Sequence, residues 1–340
     1  MTNLMRFLPA TTTYGKTILL TLFLSLLLVF TAVCSLFWGT TQVDFLAILN
    51  WDRSDPETVR SISILFSYRL PRVLLAAIAG AGLACSGVVF QGVLRNPLAD
   101  PYIIGIAAGG ALGAVISISV LKVNWILATT FASFVGSLIA VMTVYGLTFL
   151  RKNTSYMNTV ILAGIIVGAL MNALMLLMMS MTNSSEIQRI LFWIMGDFSL
   201  ANYQKIFLSA PIVLVGFIYI YLNASRLNIL VLQEESALGL GVNVKKVRFL
   251  LITTASLITG AVVSVSGTIG FVGLVAPHSM RLLLGPDHRM LLPVSFLSGS
   301  IFLVVSDTLA RIVSYPVELP VGVITALSGA PFFLYLLLKK

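Results

Sequence analysis

Residues 266–293, SGTIGFVGLVAPHSMRLLLGPDHRMLLP, combine a glycine-rich apolar run with a proline–histidine break, a basic patch and a second turn. Glycines suit helices that pack closely inside lipid, because they carry no side chain. We expect the apolar run to stop at the proline–histidine pair and a Gly-Pro-Asp-His-Arg turn to lead into the next run. The stretch therefore predicts a structural joint between membrane helices rather than a catalytic site. The residues assigned to this joint are Gly267, Gly270, Gly273, Pro277 and His278.

The rest of the chain is similarly apolar. Of its 340 residues, 58% are hydrophobic and 10% are charged, and the mean hydropathy is +1.02. Soluble domains carry about 25% charged residues, so one aqueous core cannot bury this surface. The composition predicts an all-α polytopic membrane protein in which residues 1–340 form a single domain. The net charge of +9 fits basic cytoplasmic loops and not a nucleic-acid partner. Cys34 and Cys85 lie in apolar runs and indicate packing.

Ten apolar segments have the length of membrane helices, which need about 20 residues each. With ten spans both termini share one side. That side holds 13 of the 21 basic residues, so we place both termini in the cytoplasm. Spans 2 and 7 run in opposite directions beside similar glycine–proline breaks, which we interpret as an inverted repeat. The predicted spans are residues 17–38, 70–91, 102–121, 125–149, 157–180, 204–222, 249–266, 270–284, 291–310 and 319–338.

Candidate catalytic and metal sites are weak. Tyr14-Gly15-Lys16-Thr17 ends like a phosphate-binding loop, but Ala10 stands where that loop needs a glycine, and no strand precedes it. His278 and His288 lie in or beside polar turns, where local hydrogen bonding is favoured over metal ligation. The sequence therefore predicts no catalytic residue, no metal site and no cofactor bound by this chain.

A few charged residues lie near the predicted helix ends. Asp307 and Arg311 are four residues apart and are expected to pair on one helix face. Arg69, Arg72 and Arg311 fit two interpretations that spacing alone does not separate. They are arginines that anchor helix ends at the surface, or a cationic rim on the outer face that docks carboxylates of an extracytoplasmic partner.

Residues 223–248 form the longest polar break in the second half, and residues 233–246 within it combine glycines with an alanine–leucine face. They predict one or two short cytoplasmic helices. A short exposed helix with such a face fits the groove of a cytosolic partner.

Several further motifs occur in one order from about residue 66 to 338: Arg69-Leu-Pro-Arg72, Ser86-Gly87, Gln91-Gly92, Arg95-Asn-Pro-Leu-Ala-Asp-Pro101, Ile269 to His278, Gly285-Pro-Asp-His-Arg289, Asp307-x-x-Ala-Arg311 and Glu318-Leu-Pro-Val-Gly322. Together with residues 234–244 they resemble the permease subunit of a type II ABC importer, of the iron-siderophore, haem and cobalamin uptake family with its BtuC-like fold. One departure is Ser266-Gly-Thr268, where the family more often has Ala-Gly-Pro.

The resemblance implies ten helices per subunit and a second permease copy or homologue around a central pathway. It also implies two cytosolic ATPase subunits that use ATP and magnesium, a periplasmic or extracellular substrate-binding protein, and residence in the cytoplasmic (inner) membrane of a bacterium or archaeon. It assigns docking of the binding protein to Arg69, Arg72 and Arg311, and the cytoplasmic gate region to Asn96 and Leu98. It assigns ATPase coupling to Glu234, Ser236, Ala237, Leu238, Leu240 and Gly241.

The function that follows is a non-enzymatic transport subunit for a metal chelate. Ferric siderophore is the first expectation, haem and cobalamin come next, and a small oxyanion stays open. The alternative is an ion-coupled secondary transporter, and an intramembrane enzyme is a third reading. The coupling segment and the scarcity of carboxylates at mid-membrane favour the ABC importer.

Overall fold

The computed structural model describes residues 10–39, 41, 55–121, 126–150, 156–231 and 243–338. These residues form helices and connecting turns, and no strand occurs among them. The helices are α1 (Ala10–Phe37), α2 (Pro56–Ser63), α3 (Leu70–Val93), α4 (Ile106–Val115), α5 (Ile126–Leu150), α6 (Tyr156–Ser180), α7 (Ser184–Met195), α8 (Tyr203–Leu222), α9 (Ala224–Val231), α10 (Val244–Ser266), α11 (Val272–Leu284), α12 (His288–Ile312) and α13 (Val321–Leu338).

Each of the ten predicted spans corresponds to one of these helices. Seven described segments are long and apolar enough to cross a membrane. The other three spans are α4 with its π-helical extension Ile116–Val120, α11, and α13, which are shorter apolar helices. The prediction of an all-α membrane protein with about ten membrane helices is confirmed.

The core of the bundle surrounds α3, which packs against α8, α10, α11 and α12. In the most apolar part of the continuous helix Pro56–Val93, 83% of residues are buried, against 11% in α1. The buried positions of α3 are mostly alanine, glycine, serine and valine. Such small residues let neighbouring backbones approach closely inside lipid.

The helix that contains α3 begins earlier than the sequence indicated. We expected a polar stretch to about residue 61 and a span from residue 70, but helical structure starts at Pro56. Asp55 caps that start, because its carboxylate accepts the N–H groups of Glu57 and Thr58. A π-helical turn, Ile64–Arg69, then joins α2 to α3 without a break.

The two ends of the bundle are called here the arginine end, at Arg72, and the loop end, at Asn96. α3 runs from the arginine end to the loop end, and α12 runs back beside it. The end of α1 and the start of α13 both lie at the arginine end. The chain-terminal ends of α1 and α13 therefore share the loop end, as an even number of spans requires. α3 and α10 run in opposite directions, and the inverted repeat stays a prediction.

Candidate functional site

Arginines and carboxylates form a buried charge cluster at the arginine end. Arg72 donates from Nε to the two oxygens of Asp307, at 3.0 and 3.1 Å, and from Nη1 to Glu318 at 2.6 Å. Arg311 Nε lies 3.3 Å from Asp307 Oδ2, one turn away on α12. The predicted pair Asp307–Arg311 is therefore confirmed. Charge-assisted hydrogen bonds join α3, α12 and the residues that precede α13.

Two arginines of the cluster also hold the end of α1. Arg69 Nη1 donates to the carbonyl oxygens of Leu36 and Phe37, at 2.7 and 3.0 Å. Arg311 Nη1 donates to the carbonyl oxygen of Trp38 at 3.1 Å. The last carbonyls of a helix lack partners within the helix and carry the negative end of its dipole. The guanidinium groups supply both the missing donors and the opposite charge.

The three arginines lie inside the chain. Arg69, Arg72 and Arg311 are 6%, 8% and 2% exposed, whereas the side chain of Glu318 is 33% exposed. Both interpretations of the sequence placed the guanidinium groups at the surface, and that placement is wrong. The reason is that Asp307 and Glu318 lie 235 and 246 residues from Arg72, beyond the reach of any spacing rule. The docking role stays a prediction.

The joint between α10 and α11 lies at Gly267 and Phe271. Gly267 has φ +71°, and its N–H donates to the carbonyl oxygen of Val263 at 2.9 Å, which ends α10. A Cβ atom on Gly267 would lie well under 3.0 Å from the carbonyl oxygen of Trp193, so the joint fits directly against α7. Phe271, with φ 69°, precedes α11. Nothing in the structure explains the glycine at position 270, because a Cβ atom added there would meet no other atom within 4 Å.

Pro277 and His278 do not interrupt the helix, in agreement with the predicted span 270–284, although the apolar run was expected to stop at them. They lie inside α11, which ends at Gly285 with φ +86°. A proline has no N–H and frees the carbonyl group four residues earlier, here that of Gly273. Gln91 of α3 donates from Nε2 to that carbonyl oxygen at 3.2 Å. The helix continues because a side chain from another helix replaces the lost hydrogen bond.

The same carbonyl group marks the closest approach of α3 and α11. A Cβ atom on Gly87 would lie well under 3.0 Å from the carbonyl oxygen of Gly273. The neighbouring Ser86 donates to the carbonyl oxygen of Ala255 on α10 at 3.0 Å. The Ser-Gly pair therefore forms a packing seam with two helices. The sequence signal for it was a small-residue pair within an apolar helix.

Helix α9 is tied to two neighbours at the loop end. Arg95 donates from Nε and Nη2 to the carbonyl oxygen of Leu230, at 3.2 and 2.9 Å. Asn228 Nδ2 donates to Asp287 Oδ1 at 2.8 Å, and its Oδ1 accepts the N–H of His288 at 2.9 Å. His288 therefore hydrogen-bonds to a residue 60 positions away on another helix, and the interpretation of purely local hydrogen bonding is wrong for it. Sequence reasoning missed Asn228, because no local pattern links it to the turn.

The gate loop connects α3 to the 3-10 turn Pro101–Ile104. Asn96 Oδ1 accepts the N–H of Leu98 at 2.9 Å, and the Leu98 side chain is half exposed. Asp100 caps the turn by accepting the N–H of Tyr102 at 2.7 Å. Burial raises the pKa of Asp100 to about 6, and this hydrogen bond opposes the rise. The gating role stays a prediction.

The predicted coupling residues lie outside the described residues. The helices on either side of them are α9, which ends at the loop end, and α10, which begins there. The coupling role stays a prediction for Glu234, Ser236, Ala237, Leu238, Leu240 and Gly241.

The part of the chain that the structure describes contains no cluster of metal-binding residues. No group of three or more histidine, cysteine, aspartate or glutamate residues there could hold a metal ion. Cys34 and Cys85 are free thiols, and Cys85 is buried in the core.

Comparison with known proteins decides the family. The model of the FecCD transport family matches residues 27–339. The chain belongs to this family. It is 44% identical over 300 residues to the cobalamin import system permease protein BtuC of Halobacterium salinarum, covering 88% of this chain and 79% of that protein. It is 41% identical over 274 residues to the Fe(3+)-citrate import system permease protein YfmE of Bacillus subtilis, covering 81% of each.

A solved structure agrees with this membership of the FecCD family. The fold matches a putative metal-chelate type ABC transporter in an inward-facing conformation, with a TM-score of 0.84 and 34% identity, covering 94% of this chain and 99% of that one. The predicted family resemblance is confirmed. The FecCD chain is a multi-pass membrane permease of an ABC transporter and is not itself an enzyme. Its relatives are named for different cargoes, so identity alone does not select a substrate.

Proposed function

We propose that the chain is the translocation subunit of an importer that moves an intact metal chelate into the cytoplasm. Ferric siderophore is the first candidate, and haem or cobalamin follows. The family match over residues 27–339 carries the proposal. The fully buried carboxylate of Asp307 favours this function over an ion-coupled carrier, because two arginines already neutralise it.

The proposal includes partners that supply energy and cargo. Two ATPase subunits bind at the loop end, a binding protein docks at the arginine end, and a second permease copy completes the pathway in the inner membrane. We place both termini in the cytoplasm, which makes the loop end the cytoplasmic end.

The proposed route from the ATPase to the gate passes through α9. Residues 232–242 follow α9 directly, and Arg95 hydrogen-bonds α9 to the gate loop. Asn228 holds the other side of α9 to the start of α12. A displacement of the coupling segment therefore acts on a two-turn helix whose last turn is hydrogen-bonded to Arg95, the residue before Asn96 in the gate loop.

The uptake experiment uses proteoliposomes that contain the permease, its ATPase and its binding protein. We expect ATP-dependent accumulation of a ferric siderophore, with haem and cobalamin measured in parallel arms. Accumulation without ATP that follows an imposed proton or sodium gradient would contradict the proposal. Uptake of haem or cobalamin alone would support the importer proposal and would replace ferric siderophore as the proposed substrate.

Arg95→Met tests the route through α9. We expect ATP hydrolysis to continue while chelate uptake falls by about tenfold, since the loop loses its hydrogen bonds to Leu230. Arg226→Met is the matched control, because Arg226 lies on α9 and bonds to its neighbour Asn223. Equal uptake by the two variants would show that the gate does not depend on Arg95.

For docking, we propose that acidic groups of the binding protein reach Arg72 by displacing Glu318, the accessible carboxylate of the cluster. Arg69 and Arg311 supply further positive charge from below. Glu318→Gln is expected to tighten the complex at low salt, because Arg72 loses a competing anion. Glu186→Gln, on α7 at the same end, is the control. If Glu318→Gln and Glu186→Gln bind the binding protein with the same affinity, Arg72 is not part of the docking surface.

A further inference from the structure

A cavity of about 420 Å³ lies at the arginine end, between α7 and the helices behind it. Its walls come from the π-helical extension of α4, from α5, α7, α8 and α10, and from the residues that precede α8 and α13, so one chain builds all of it. Phe192 and Trp193 supply aromatic surface, and Leu200 and Leu319 add aliphatic surface. The volume is within the roughly 300–1,000 Å³ of typical small-molecule sites.

The cavity contains a cation on a buried residue that makes no side-chain hydrogen bond or ion pair with the described residues. Lys205, in the first turn of α8, lines the cavity and is 8% exposed. Its ammonium group forms no hydrogen bond or ion pair with the described residues, and the carboxylate that attracts it electrostatically is that of Asp197. An ammonium group taken out of water without a partner is costly. A ligand with a negative acceptor would remove that cost.

The two carboxylates in the cavity wall are already engaged. Asp197 accepts the N–H of Ser199 at 2.8 Å and also the Ser199 hydroxyl group. Glu318 is paired with Arg72 at 2.6 Å. Asp197 attracts the Lys205 ammonium group without a hydrogen bond, and Glu318 is engaged by Arg72. Arg189 also lines the cavity, so two cations, Lys205 and Arg189, stand against the one carboxylate of Asp197. This balance fits one anionic group attached to an apolar body.

We propose that this cavity binds a small monoanionic ligand, whose oxyanion pairs with Lys205 and whose apolar part lies against Phe192 and Trp193. This inference goes beyond chelate transport and does not depend on it. A soluble organic monocarboxylate and the phosphodiester of a membrane phospholipid share the required chemistry. The experiment has one arm for each source.

Both arms use the full-length protein, purified in a non-ionic detergent. The first arm measures binding of benzoate by equilibrium dialysis, with phthalate as the dianionic counterpart. The second arm counts phospholipid molecules retained by the protein in native mass spectrometry. The variants are Lys205→Met, Lys205→Arg, which keeps the charge, and Lys16→Met, which removes an exposed lysine near the start of α1 as the matched control.

We expect wild type, Lys16→Met and Lys205→Arg to bind one of the two ligands, and Lys205→Met to bind it at least tenfold more weakly. Benzoate binding that exceeds phthalate binding identifies a soluble ligand, and phospholipid lost from Lys205→Met alone identifies a lipid. The proposal is overturned if wild type binds neither, or if Lys205→Met and Lys16→Met bind alike.

Stability without ligand gives a second, independent readout. Lys205→Met removes a charge on a buried residue that makes no hydrogen bond or ion pair, so its thermal midpoint is expected to equal or exceed that of ligand-free wild type. A lower midpoint would mean that the protein itself satisfies the ammonium group, and this would also overturn the proposal.

Discussion

Replacing Asp307 by asparagine removes the charge that neutralises two buried arginines. Asp307 is 0% exposed, accepts two hydrogen bonds from Arg72 and lies 3.3 Å from Arg311. An asparagine keeps the size and one acceptor, but Arg311 loses its ion pair and Arg72 keeps Glu318 alone. Breaking a buried pair in this way typically costs about 3–5 kcal/mol, and we expect the free energy of unfolding to fall by that order.

Glu318→Gln is a matched comparison, because it removes the other carboxylate from the same arginine. The side chain of Glu318 is 33% exposed, so water can solvate Arg72 when the charge is lost. Exposed ion pairs contribute about 0.2–1 kcal/mol. At roughly 2 °C per kcal/mol for a chain of this size, Asp307→Asn should lower the thermal midpoint by about 6–10 °C and Glu318→Gln by about 2 °C or less.

The midpoint is measured on purified protein in a non-ionic detergent, as the folded fraction that survives stepwise heating and size-exclusion chromatography. Equal shifts for the two variants would refute the reasoning. That result would mean that the buried pair stabilises the fold no more than the accessible one, and that the cluster relaxes to admit water when either charge is removed.

Gly87→Ala should sharply reduce the yield of folded protein, because its Cβ would overlap the carbonyl group of Gly273. Gly146→Ala, with nothing within 4 Å, should be neutral or stabilising by about 0.5 kcal/mol in the same heating assay; equal yields would contradict the close approach of α3 and α11. Asp100→Asn should raise the thermal midpoint relative to wild type, and the difference should grow as the pH rises from 4 to about 6. The reason is that the pKa of Asp100 is raised in the folded state, so the folded wild type becomes less stable as this group ionises. A difference that stays constant across this pH range would show that Asp100 ionises equally in the folded and unfolded chain.

The membrane helices could be predicted from sequence because their cause is local. A run of about 20 apolar residues is a sufficient signal for a span, and glycines and prolines separated even the short helices α4 and α11 from their neighbours. The start at Pro56 was missed for a local reason as well. Residues 56–63 are polar enough to resemble a loop, although Asp55 caps them as a helix and the following π-turn continues them into α3.

The features that could not be predicted from the sequence depend on contacts between residues that are far apart along the chain. How the helix tolerates Pro277 depends on Gln91, which bonds to the carbonyl group of Gly273, 182 residues further along the chain. The sequence alone indicates that Arg69 and Arg72 are surface charges, because it does not show that the end of α1 and two carboxylates lie beside them. In both cases the sequence shows the residue types but does not show which partner each polar group has in the fold. Burial of a polar group is tolerated only when that partner is present.

The same long-range contacts give α3 its central position. The helix Pro56–Val93 has 38 residues, a length of about 55 Å that exceeds the roughly 30 Å hydrocarbon core. Arg72 fixes its first part to the charge cluster, and Arg95, just beyond its end, fixes the gate loop to α9. Close packing along α3 disfavours bending within it. We expect a shift at the arginine end to be taken up in the π-turn before Leu70, where the helical hydrogen-bond pattern already departs from regular geometry.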